Sequence, residues 1–217
     1  MTNITAATRK KPLLEALTWK FFDFEDYLFE KRHGLDLGGI IAANELMSSD
    51  RHPVAHASAY HAVWCRNLRE LFAEAERTGA AFDNFIDLGS GKGKACFYAH
   101  MRKPFSKIVG VELSEKLNII ANHNLAKFRS GSASNIFFSS IDATEFDLPE
   151  TSNLIFMFNP FDDVILRKFV SRNLEHFRKG TSMIAYANDV HRATLDELGF
   201  STVFRNPRRK LSLHCYR

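Results

Sequence analysis

The stretch Asn84-Phe85-Ile86-Asp87-Leu88-Gly89-Ser90-Gly91-Lys92-Gly93-Lys94 holds the side chains whose types and spacing most clearly imply chemistry. An apolar run ends in an acid, Asp87, and glycines follow at alternate positions before a helical pattern begins. Glycines there remove Cβ atoms where a loop must turn sharply and lie against a ligand. The acid just before the turn suits a ligand that carries a cationic group. A second apolar run, Ile108-Val109-Gly110-Val111, ends in a second acid, Glu112. Strand, glycine loop, helix, strand, acid is half of a nucleotide-binding doubly wound sheet.

The glycine spacing separates the nucleotides. A dinucleotide loop needs G-x-G-x-x-G, but Gly89, Gly91 and Gly93 read G-x-G-x-G, and Lys94 stands where the third dinucleotide glycine belongs. A phosphate-binding P-loop needs Ser or Thr after Gly-Lys; Ala95 follows Lys94, and Leu88 occupies the first glycine position. The remaining pattern resembles the first motif of the class I S-adenosylmethionine-dependent methyltransferases. That resemblance implies S-adenosyl-L-methionine as cofactor, with Asp87 near its methionine end and close-approaching backbone at Gly89, Ser90, Gly91 and Gly93. The following helix N-terminus would face the cofactor carboxylate. Glu112, with Leu113 beside it, would accept hydrogen bonds from the ribose hydroxyls, since an ionised carboxylate has two acceptor oxygens. Asp142 would take the adenine amine and Ala143 would cover the ring. The other reading of Asp142 is an N-cap for a short turn containing Thr144 and Glu145.

On the acceptor side, the run Leu154-Ile155-Phe156-Met157-Phe158 ends in Asn159-Pro160-Phe161-Asp162. Amino-group methyltransferases often carry [DN]-P-P-[YF] here, which implies catalytic roles for Asn159 and Phe161. One proline is missing, so adenine or glutamine specificity does not carry over. N-P-F also resembles the N-N-F of the non-SET histone lysine methyltransferases, whose D-L-G-S-G loop is shared by residues 87–91. Small bacterial class I members without an established acceptor share this loop, a G-V-E second strand end and N-P-F. They also have an upstream F-D-x-x-x-G-Φ-D stretch (Φ apolar), loosely matched by Phe24 to Asp36, and a tyrosine before the sheet, matched here by Tyr60. The implied function is methyl transfer to an unidentified acceptor, with nitrogen favoured and protein or small molecule ahead of nucleic acid. Turn formation alone at Asn159-Pro160 and a non-catalytic cofactor-binding subunit are the rival readings.

These residues need elements to hold them. From Phe82 onward, strands are predicted near 84–88, 107–111, 135–139, 153–158, 181–187, 200–204 and 210–216. Helices are predicted near 93–102, 114–128, 163–178 and 190–197. Asn206-Pro207-Arg208-Arg209 is too short for a helical crossover, so the last two strands pair antiparallel. The expected fold is α/β: a doubly wound, seven-stranded, Rossmann-like class I methyltransferase sheet with an antiparallel last strand. Residues 1–80 read as an N-terminal helical cap and 81–217 as the cofactor-binding domain. In the cap, Leu13, Leu14, Leu17, Phe21, Phe24 and Leu28 form one apolar face, and its phenylalanines read as core. A second helix is expected over about 58–76.

Composition fits one large domain: 217 residues, 45% hydrophobic, 25% charged, net charge +4. That charge permits an acidic partner without demanding nucleic acid. Three scattered cysteines and nine dispersed histidines, His52, His56 and His61 among them, give no disulfide framework and no metal site. No signal peptide or bilayer-spanning segment is evident, which makes the cytoplasm the expected location and a membrane partner unexpected. Lys92 and Lys94 read as solvated cations. Arg205, Arg208, Arg209 and Lys210 read as charge solubilising a turn.

Overall fold

The computed structural model describes residues 13–42, 59–129 and 133–217. A long helix, α1 (Leu13–His33), leads to a two-strand antiparallel strap, β1 (Ile40–Ile41) and β2 (Tyr60–His61), and to α2 (Cys65–Arg77). The alternating part follows as β3 (Asn84–Leu88), α3 (Lys94–Arg102), β4 (Lys107–Glu112), α4 (Glu115–Lys127) and β5 (Ile136–Ser140). It continues through β6 (Asn153–Phe158), α5 (Asp163–Arg172), α6 (Leu174–Arg178), β7 (Met183–Ala187) and α7 (Arg192–Glu197), then closes with β8 (Phe200–Asn206) and β9 (Leu211–Tyr216). The sheet order is β5-β4-β3-β6-β7-β9-β8. Strands β3 to β7 run parallel, and β9 pairs antiparallel with both β7 and β8. The predicted strands are all present, and so is the antiparallel closing strand.

Period-two alternation sorts the strands between two cores. Phe85, Ile108, Ile136, Phe156, Ala185 and Leu213 face α2 and α3, which contribute Leu68, Leu71, Phe72, Cys96 and Phe97. Ile86, Leu88, Val111, Ile155, Met157 and Tyr186 face Leu166, Phe169, Phe177 and Leu195 of α5 to α7. Leu35, Leu37 and Val63 join the first core, so the chain before the sheet shares the sheet's own apolar packing.

Several boundaries differ from the expectation. The predicted second helix begins at Cys65, because residues 60–61 pair with β1 and the Cys65 N–H is accepted by Asp26 Oδ1 at 2.8 Å; Ser58 lies outside the described residues. The predicted helix 163–178 breaks at Asn173. Its side-chain amide donates to the Phe146 and Phe169 carbonyls, while its oxygen accepts from Leu148 N–H. That three-way tie holds the loop before β6 at the cost of helical continuity.

The cap helix faces the other way from the predicted orientation. Leu17, Phe21, Phe24 and Leu28 are exposed, and Trp19, Phe22, Asp26 and Phe29 turn inward. The side chains of Leu13 and Leu14 lie outside the described residues. Trp19 and Phe22 pack on Trp64 at 4.4 and 5.6 Å, and Phe29 on Tyr98 at 6.1 Å. The deciding contact is ionic: Lys94 Nζ, 3% exposed as a residue, lies 2.6 Å from Asp26 Oδ2. Lys92 is also buried and donates to Asp36 Oδ1 at 3.1 Å and to the Gly38 carbonyl at 2.7 Å. Neither lysine is the solvated cation expected from sequence.

Two of the hairpin cations are likewise structural ties, while Arg208 and Lys210 are exposed as expected. Arg209 pairs with Glu70 and donates to Asn67, and Arg205 meets Asp189 at 3.3 Å.

A buried ion pair that loses one partner leaves an uncompensated charge. Lys94→Met should therefore lower unfolding free energy by about 3 kcal/mol in urea titrations. Adding Asp26→Asn to that variant should recover part of the loss, because the stranded carboxylate is then removed.

Candidate cofactor and acceptor site

The strand order reverses at β3, where doubly wound folds bind ligands beyond the carboxyl ends of the strands. Four parallel strands end here together. Beyond them stand Gly89 after β3, Leu113 after β4, Asp142 after β5 and Asn159 after β6. The structure therefore brings the expected cofactor and acceptor residues to one edge. Gly89 is exposed there, and Glu112, Leu113, Asp142, Asn159, Pro160 and Phe161 are half-buried.

The glycine loop is shaped by its neighbours. Gly89, Gly91 and Gly93 have φ of 74, 54 and 91°, conformations that favour glycine. A Cβ on Gly91 would lie 2.4 Å from the Tyr60 ring, and a Cβ on Gly89 would lie 2.2 Å from Pro160 Cβ. The space over Gly91 is thus filled by Tyr60 of the strap. Tyr60 stands on β2 rather than on a helix, is 9% exposed, and donates its hydroxyl to the Leu37 carbonyl at 2.7 Å. Lys92 Nζ sits 5.6 Å from the Tyr60 ring centre. Asn124 of α4 ties strap to loop, donating to both the Asp36 and Lys92 carbonyls and accepting from Asp36 N–H.

The loop N–H groups turn toward β4. Those of Gly89 and Ser90 donate to the Val111 carbonyl, and that of Gly91 donates to Glu112 Oε2 at 2.9 Å. Glu112 Oε1 accepts from Ser114 N–H at 2.8 Å. The Leu113 N–H also donates to this carboxylate, so of its roughly four lone-pair positions one remains for a ribose hydroxyl beside the loop anchoring. Ser90 Oγ is buried with no hydrogen-bond partner.

Buried Asp87 and half-buried Glu112 form an acidic pair of strand ends. Burial pushes the Asp87 carboxyl from 3.8 up to about 8, opposed by the weak Cys96 Sγ donor at 3.7 Å and reinforced by the Glu112 charge. Burial also raises Glu112, against the pull of its backbone N–H donors. A ligand bearing a cation and vicinal hydroxyls would relieve both groups. S-adenosylmethionine fits this donor set, offering positive charge for Asp87 and a hydroxyl for Glu112.

The remaining candidates divide. Asp142 Oδ1 accepts from Thr144 N–H and Thr144 Oγ1, both at 2.8 Å, so it does cap the short turn 143–145; Ala143 beside it is buried. Asn159 has φ of 45°, a left-handed conformation uncommon outside glycine. Its Oδ1 accepts from Tyr186 Oη at 3.2 Å, and Tyr186 Oη accepts from His191 N–H at 3.4 Å. The tyrosine proton therefore points to Asn159 and fixes which end of the carboxamide faces it. Phe161 packs on the second core, and Asp162 caps α5. Exposed His61 lies 6.2 Å from Phe158, ring to ring, placing the strap beside the acceptor motif as well. Among the described residues, no three His, Cys, Asp or Glu are grouped to hold a metal ion; His52 and His56 lie outside them.

Sequence reasoning missed Lys92, Lys94, Asn124 and Tyr186. The loop lysines had a signal in Asp26 and Asp36 upstream. Tyr186 had none, because a strand tyrosine reads as core.

No protein-family profile matches this sequence, and no curated protein matches it. Solved structures do. A human methyltransferase 10 domain containing protein superposes with a TM-score of 0.58 at 10% identity, covering 91% of this chain and 96% of that one. The ribosomal protein L11 methylase of Lactobacillus delbrueckii subsp. bulgaricus gives 0.52 at 15% identity, over 70% and 79%. The glycopeptide N-methyltransferase MtfA, solved with S-adenosyl-L-methionine, gives 0.52 at 13%, over 68% and 92%. The fold is that of the class I methyltransferases. At these identities the likeness is one of fold.

The Asp87 shift has a consequence for pH. Because the folded-state value lies above the unfolded one, the unfolded chain releases this proton first. The group's contribution is intact below about pH 4 and is lost as pH rises toward its folded-state value. Without cofactor, Asp87→Asn should melt above the wild type at pH 8, and the difference should shrink toward pH 5. Thermal unfolding across that range checks it.

Proposed function

We propose that this protein is an S-adenosylmethionine-dependent methyltransferase acting on a nitrogen acceptor of a protein or small molecule. The observation that carries the reading is the pair of desolvated carboxylates, Asp87 and Glu112, ending adjacent parallel strands around a left-handed glycine loop. When bound, S-adenosylmethionine supplies a methyl group already activated on a sulfonium. Asp87 offsets its ammonium charge, Glu112 holds the ribose, and Asp142 and Ala143 take the adenine. Leu113 contributes apolar contact, and Tyr60 closes the strap over the loop. Residues 1–80 act as the cap of the cofactor domain 81–217.

Little acid–base work remains for the chain once the methyl is activated, so orientation dominates. Asn159, held by Tyr186, presents a fixed carboxamide at the strand edge. The second lone pair of its Oδ1 can accept an N–H of the acceptor, leaving the nitrogen lone pair directed at the methyl group. Phe161 supplies an aromatic flank at the same turn. Among the described residues no buried base with an orienting partner stands beside Asn159, which favours a neutral amine over an acceptor that must first lose a proton.

Calorimetry should show S-adenosylmethionine binding and no NAD binding; the reverse result defeats the proposal. Glu112→Gln should weaken cofactor binding by about 1.5–3 kcal/mol, the range for a lost charge-assisted hydrogen bond. A labelled-cofactor screen against protein and metabolite fractions supplies the acceptor. With it, Asn159→Ala should bind cofactor within about threefold of wild type yet turn over about a hundredfold slower. Unchanged turnover would reduce Asn159 to a turn former, and a methylated oxygen or carbon would defeat the nitrogen assignment.

A further inference from the structure

Helix α1 sends its most apolar stripe outward. Leu17, Phe21, Phe24, Tyr27 and Leu28 are between 49% (Leu28) and 60% (Phe21) exposed. At 100° per residue, Leu17, Phe21, Phe24 and Leu28 share roughly 60° of arc and run about 17 Å along the axis. The flanks are cationic: exposed Lys20 and Lys31 on one side and exposed Arg32 on the other, with Lys31 Nζ 5.6 Å from the Tyr27 ring centre. The helix acids whose side chains are described, Asp23, Glu25, Asp26 and Glu30, are engaged elsewhere. Asp23 accepts from Trp64 Nε1 at 3.1 Å, Glu25 pairs with Arg69, Asp26 with Lys94, and Glu30 lies toward Lys94 and Lys92.

We propose that this face of α1 is a peripheral membrane-binding surface for anionic lipid. The occupant must be apolar at its centre and negative at its margins. A second copy fails the charge requirement, since antiparallel stacking of the stripes brings like sides together and sets Lys20 and Lys31 of one beside Lys31 and Lys20 of the other. The chain's other segments also fit poorly. Residues 1–12 add Arg9, Lys10 and Lys11, of the same sign, and 43–58 offer only Leu46, Met47 and Val54 as large aliphatic side chains. A ridge of phenylalanine and leucine enters a deformable lipid interface directly, with its cations among the headgroups. A folded acidic partner would need a matching groove. No helix among the described residues is long and apolar enough to cross a membrane. That feature underlies the expectation of no membrane contact, but it does not bear on a helix lying in the interface.

Sedimentation of the full chain with vesicles tests the proposal. The wild type should pellet with vesicles of phosphatidylcholine and phosphatidylglycerol in equal parts, stay largely in solution with phosphatidylcholine alone, and be released by high salt. Phe21→Ser/Phe24→Ser should cut partitioning at least about tenfold. Lys31→Ser/Arg32→Ser should cut it about tenfold on anionic vesicles only. These side chains are exposed, so circular dichroism should show unchanged melting in both variants, separating lost binding from lost folding. Failure of the wild type to pellet, or equal pelleting by Phe21→Ser/Phe24→Ser, overturns the assignment. So does a concentration-dependent dimer, or a complex with an acidic amphipathic peptide, formed through these phenylalanines in place of lipid binding. None of these readouts depends on methyl transfer.

Discussion

Lysine 94 could not remain buried in the first turn of α3 without Asp26. Positive charge at a helix N-terminus opposes the helix dipole, and burial adds a desolvation cost. The carboxylate 2.6 Å away answers both, and it comes from α1, which is remote in sequence. Asp26 also accepts the first N–H of α2, so one side chain sets two helices against the glycine loop. With Asp26 fixed, α1 has only one rotational setting. Its aromatic residues fall on Trp64 and Tyr98, and its leucine and phenylalanine stripe is turned away from the protein.

The same loop is gripped from three further directions. Lys92 reaches into the strap, Asn124 clamps strap and loop together, and Glu112 holds Gly91 N–H. Such fixing keeps two costly carboxylates, Asp87 and Glu112, at strand ends where water is largely excluded. Without a cation nearby, their desolvation is a standing cost at the strand ends. The strained φ at Asn159 stands on the same edge. Stored electrostatic and backbone cost thus concentrates at the carboxyl ends of β3, β4 and β6, where function is expected.

Much of this was legible in the residues. Strand limits followed from apolar runs closed by Asp87, Glu112 and Asn159, and the antiparallel end of the sheet followed from a turn too short to cross over. The orientation of α1 was not legible. Periodicity identifies an apolar face but assumes that it points inward, and here an ion pair across more than sixty residues of sequence decided otherwise. The break at Asn173 was hidden for a similar reason: its amide partners, Phe146 and Leu148, are distant in sequence and invisible to helical periodicity. Tyr60 was associated with the site by resemblance, but its placement on a strand depended on pairing with Ile40 and Ile41.

The contact between Gly89 and Pro160 joins the glycine loop to the turn after β6 through apolar contact. A Cβ at position 89 would overlap the proline ring, so the two residues are shaped to one another. The turn after β6 therefore cannot be reshaped in isolation. A bulkier side chain at 160 would press on the glycine loop. Positions 89 and 160 are thus coupled: a larger side chain at either is accommodated only with a compensating change at the other.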